Sequence, residues 1–67
     1  MLTERQVQVI SLAAHGHPNA EIAERLGITE ETVKSHIREI LFKLNARNRA
    51  HAVYMACARG DITLPRR

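Results

Sequence analysis

Residues 19–44 read NAEIAERLGITEETVKSHIREILFKL, and the fold turns on this stretch. Ile22, Ala23 and Leu26 fall at i, i+1 and i+4, the buried edge of a short helix. Gly27 stands where a left-handed residue closes that helix, and Ile28 plugs the turn. Thr29 then caps a longer helix, with Glu30 and Glu31 in the first turn, where the helix dipole favours acids. Val33, Ile37, Ile40, Leu41 and Leu44 recur at helical spacing and make one apolar stripe. At about 100° per residue, Glu31, Lys34, Ser35, Arg38 and Phe42 face away from that stripe, while Thr32, His36 and Lys43 line one flank. Two helices joined by so tight a turn cross steeply, so the second projects from the body of the domain. A projecting helix with a cationic outer face fits a DNA major groove.

Upstream, Thr3 caps a first helix and Gln6 takes the third helical position of a capping box. Val9, Ile10 and Ala13 give this helix its inner side, and Gly16 stops it. Pro18-Asn19 opens the next helix. Downstream, Asn45-Ala46-Arg47 is read as a loop and Asn48 as the cap of a fourth helix, with Ala52, Val53 and Ala56 inward and Gly60 as its stop. The expected fold is all-α: four helices at about 4–15, 19–26, 30–44 and 48–59, one domain over 1–67, and the turn motif within about 19–38. Residues 61–67 are read as a flexible tail, and Val7 and Phe42 as exposed.

Composition agrees with this reading. A chain of 67 residues holds one small core, too little to shelter a substrate from water. With one Phe, one Tyr and no Trp, that core is aliphatic. The net charge of +3 is unevenly spread. Residues 1–33 carry two arginines against five glutamates, net −3, and residues 34–67 carry eight Lys or Arg against two acids, net +6. The positive half begins at the projecting helix, which points to a polyanionic partner. With no n-region and h-region at the start and no apolar run near ~18 residues, neither a secretory signal nor a membrane span is expected. A single Cys57 excludes an internal disulfide and suits a reducing cytoplasm.

Enzymatic and metal chemistry find no support. His15, His17, His36, His51 and Cys57 form neither a CxxC nor an HxxxH pair, so no metal or other cofactor is expected. No paired carboxylate, no nucleophile with an orienting base and no phosphate loop is present. Cys57 reads as a small apolar filler.

The chain resembles the DNA-binding domain of the LuxR/GerE family, most closely the NarL-type response-regulator branch. The resemblance rests on Leu2-Thr3, Arg5, Gly16, Pro18-Asn19, Ile22-Ala23, Leu26, Thr32-Val33-Lys34, His36, Ile40, Lys43-Leu44, Arg49, Ala56, Gly60 and Ile62, and so covers nearly the whole chain. It implies that the third helix reads base edges through Lys34, Ser35 and Arg38, the three residues the helical face independently turns outward. Arg38 offers a planar fork to guanine O6 and N7. Thr32, His36 and Lys43, with Asn19 and free N–H groups at the start of the second helix, are expected on phosphates. Glu31 is read as a first-turn dipole partner rather than a base contact.

The resemblance further implies a homodimer on DNA through the fourth helix, where Ala50, Val53, Tyr54 and Cys57 share a face, and RNA polymerase as a candidate partner. It implies regulation of bacterial transcription initiation, with a phosphorylation- or ligand-sensing domain outside these residues. Four departures stand out: Gln6 where Glu is usual, Ala46 for a larger Val, His51 for an acid, and Phe42 at a commonly polar or basic position. The first implies loss of an acid–base contact at the first helix, and the last removes a phosphate contact. The nearest rival is region four of a bacterial sigma factor, similar around EIAERLGIT and TVKS; a more distant one is an interaction module that has lost DNA binding. His36, Lys43-Leu44 and the fourth helix with Arg49 and Gly60 weigh against the first, and Lys34, Arg38 and Lys43 against the second.

Overall fold

The computed structural model describes residues 1–64. Four helices follow one another: α1 (Glu4–Ala14), α2 (Asn19–Leu26), α3 (Glu30–Leu44) and α4 (Arg49–Ala58). Each begins at an extended residue, and three have a side-chain cap. The Thr3 hydroxyl accepts from Gln6 N–H while Gln6 Oε1 accepts from Thr3 N–H, a reciprocal pair that fixes the start of α1. Thr29 accepts from Thr32 N–H, and Asn48 from His51 N–H. Pro18, at the start of α2, offers no such cap.

All four helices end in the same double hydrogen bond. After α2, Ile28 N–H reaches Ala23 O at 3.0 Å and Gly27 N–H reaches Glu24 O at 3.3 Å, with Gly27 at φ +70°. After α3, Ala46 N–H reaches Leu41 O at 2.9 Å, and Asn45 takes the left-handed position at φ 54°. Asn tolerates that region better than most non-glycine residues, so the segment read as a loop is a defined stop. These stops hold the connections short, and short connections determine which faces meet.

The core is built from Leu2, Val9, Ile10, Ile22, Ala23, Val33, Ile40, Leu44, Ala52, Ala56 and Ile62. Helix α3 lies at its centre, packed against α1, α2 and α4. Its stripe behaves as the spacing predicts: Val33, Ile40 and Leu44 are buried, and Ile37 and Leu41 are half-buried against them.

Three expectations need correction. The tail does not begin at 61: Gly60, at φ +81°, turns the chain back, Asp61 N–H bonds Ala56 O at 2.8 Å, and Ile62 is 6% exposed within the core. Residues 65–67 of that expected tail lie outside the described residues. Val7 is half-buried against the core rather than exposed. Helices α1 and α4 are also slightly shorter than expected, because His15, Asn48 and Arg59 serve as caps.

Candidate nucleic-acid interface

With one side of α3 committed to the core, its opposite side must face solvent. Glu31, Lys34, Ser35, Arg38 and Phe42 are all exposed there, as the helical geometry requires. Lys34 Nζ stands 3.7 Å from Glu31 Oε2, an exposed i,i+3 pair that contributes little to stability. Ser35 and Arg38 make no side-chain hydrogen bond or ion pair among the described residues, so nothing in the fold needs these polar groups. The three expected base-reading residues therefore share one open face.

The expected phosphate residues are held differently from one another. Thr32 is exposed, with its hydroxyl 2.9 Å from that of Thr29. His36 is half-buried on the flank. Asn19 Oδ1 accepts from Arg49 Nη1, which leaves the Asn19 amide N–H groups free to donate. Arg49 Nη2 also donates to His17 O at 2.9 Å, so one guanidinium from the start of α4 orients the start of α2. There no side chain caps the helix, and the N–H groups of Asn19 and Ala20 are left without an intrahelical partner, while Glu21 N–H reaches Pro18 O at 3.0 Å. With the Asn19 amide they make up a set of donors of the kind that an anionic oxygen accepts from.

Lys43 is exposed on the flank but already engaged. Its ammonium donates to Gln6 Oε1 at 3.0 Å and to Met1 O at 3.3 Å, so it is drawn toward α1. Gln6, only 2% exposed, gives its Nε2 to Glu39 Oε1 at 2.9 Å. No acid–base contact is made by residue 6, as its amide side chain implies, but the neutral amide bridges the cation and the acid, with its oxygen on Lys43 and its nitrogen on Glu39. A carboxylate at residue 6 could serve Lys43 but could not donate to Glu39. Gln6 and Arg49 are the supports that spacing alone did not assign, because their partners lie far away in sequence.

On α4, Tyr54 is 67% exposed and Ala50 is exposed, while Val53 and Cys57 are half-buried and pack partly on the core. The four share one side of the helix at i, i+3, i+4 and i+7. Among the described residues no group of three or more His, Cys, Asp or Glu could hold a metal ion. No helix among the described residues is long and apolar enough to cross a membrane.

A capped turn that presents one helix, anchored on its apolar side and open on its cationic side, defines a helix-turn-helix DNA-binding domain. The sequence model of the bacterial regulatory proteins of the luxR family matches residues 1–56, and the chain belongs to that family. It is 43% identical over 60 residues to the uncharacterized transcriptional regulatory protein YxjL of Bacillus subtilis (strain 168), covering 90% of this chain and 28% of that protein. It is 46% identical over 56 residues to the response regulator protein VraR of Staphylococcus aureus, covering 84% of this chain and 27% of VraR. The chain thus spans little more than a quarter of the length of these relatives. Among solved structures, that of the transcription factor GerE superposes with a TM-score of 0.93 at 28% identity and covers 96% of both chains.

Proposed function

We propose that this domain binds double-stranded DNA sequence-specifically, with α3 in the major groove, and thereby regulates initiation of bacterial transcription in the cytoplasm. The observation that carries this reading is the open face of Lys34, Ser35 and Arg38, three exposed side chains whose one polar contact among the described residues is the exposed Lys34–Glu31 pair. Binding rather than catalysis is its chemistry. Lys34 and Arg38 meet base edges, Ser35 permits close approach, and Thr32, His36, Asn19 and the first N–H groups of α2 hold phosphates. Selection of bound fragments from a random duplex pool tests this. The domain should enrich a defined motif, and its affinity should fall steeply with salt as counterions are released. A pool left unenriched would refute it.

Lys43 has one ammonium proton left after Gln6 and Met1, so its phosphate contact is weak but sequence-blind. Lys43→Ala should lower affinity for every duplex by the same small factor and reduce the salt slope by about one. A loss confined to one base-pair variant would contradict that role.

A two-fold pairing through Ala50, Val53, Tyr54 and Cys57 of α4 would bring two copies onto adjacent half-sites, and RNA polymerase is a further partner of such a complex. The exposed Tyr54 ring supports this reading, since an aromatic residue of that exposure is an economical anchor for a small interface. Tyr54→Ala should leave single half-site affinity unchanged and weaken binding to paired half-sites. Titration of one-site and two-site duplexes compares the two, and an equal response on both would count against the pairing.

A further inference from the structure

Phe42 is 88% exposed and is the one large exposed apolar side chain of α3. It lies four residues past Arg38, about 6 Å farther along the axis and between Arg38 and Ser35 in angle when viewed down the helix. The two polar residues beside it are drawn off the front of the helix: Glu39 accepts from Gln6 Nε2, and Lys43 donates to Gln6 Oε1. Arg38, Glu39, Phe42 and Lys43 line a shallow groove in which the ring is the apolar surface presented outward.

We propose that Phe42 reads a thymine, by packing its ring on the C5-methyl group one or two base-pair steps beyond the position contacted by Arg38. This inference rests on the groove-binding role of α3 proposed above and adds a fourth reading residue to it. The ring continues the surface of the three reading residues. Once Lys34, Ser35 and Arg38 meet base edges, a side chain on the same face one turn farther on is carried into the groove or onto its rim. The only apolar group that a base displays there is the thymine methyl, whereas a ring against any other base edge desolvates donors and acceptors without satisfying them. A phenyl ring exposed to water contributes nothing to the core, and the same ring against a methyl group gains burial on binding.

The test uses duplexes selected by the wild-type domain, with each thymine of the bound motif replaced singly by uracil, which removes only the methyl group. At one position the replacement should weaken wild-type binding about fourfold, the equivalent of roughly one buried methyl group, and leave Phe42→Ala unaffected. The exposed ring makes Phe42→Ala neutral for folding, which circular dichroism verifies. If no thymine-to-uracil position separates the two proteins, the proposal is overturned. It is overturned equally if Phe42→Ala binds all duplexes as the wild type does but loses a protein partner, which would assign the ring to a protein contact. Enrichment of a motif by the wild type in the same selection keeps these outcomes distinct from failure of DNA binding itself.

Discussion

Arg38→Ala should cost about 1–3 kcal/mol on the preferred duplex and almost nothing on duplexes already mutated at the base pair that Arg38 reads. The guanidinium is exposed and has no hydrogen-bond or ion-pair partner among the described residues, so its removal leaves the folded state intact. The loss is therefore a binding loss. A bidentate donor matches two acceptors on guanine, and truncation leaves those acceptors facing a gap. Affinities of wild type and variant for a set of duplexes substituted one base pair at a time measure this. An equal loss on every duplex would reassign Arg38 to phosphate, because phosphate contacts carry no sequence information.

Ile40→Ala should remove about 2–5 kcal/mol of stability, the usual cost of truncating a fully buried aliphatic chain that leaves a cavity. Ile40 is fully buried on α3, the helix against which the other three pack. A 67-residue domain has on the order of 3–10 kcal/mol to lose, so the variant should be largely or partly unfolded near physiological temperature. Urea unfolding followed by far-ultraviolet circular dichroism gives the number. An unchanged midpoint would mean that the stripe of α3 is not the centre of the core. Because this change acts on the fold and Arg38→Ala acts on the surface, the pair separates the two faces of one helix.

Much of the fold is legible in the sequence because its signals are local. Thr3 with Gln6, Thr29, and Asn48 are caps whose partners lie three residues away, and Gly27 is a stop whose geometry few residues tolerate. The buried stripe of α3 follows from periodicity, and the open face follows from the stripe. What escapes the sequence is set by distance along the chain. Gln6 meets Glu39 and Lys43 across separations of 33 and 37 residues, and Arg49 meets Asn19 across 30. No spacing rule anticipates that an amide at residue 6 will engage a lysine on the flank of α3. The burial of Ile62 escapes the sequence for the same reason. Its polar and turn-forming neighbours look like a tail, and only the turn back after α4 brings this one apolar residue to the core.

The supports found in the structure bear on the interface as well. Gln6 ties the C-terminal half of α3 to the start of α1, and Arg49 ties the start of α2 to that of α4. Both restrain α3 and the first turn of α2, and in the proposed complex that restraint would lower the entropy lost when the two engage one duplex.

The account stands on α3 lying against base edges with its aliphatic side held by the core. Nuclear magnetic resonance mapping of the labelled domain titrated with its selected duplex tests this most directly. The account predicts that the largest shift changes fall on Lys34, Ser35 and Arg38, with smaller ones at the start of α2. Unchanged α3 signals in a complex that forms through another surface would contradict it.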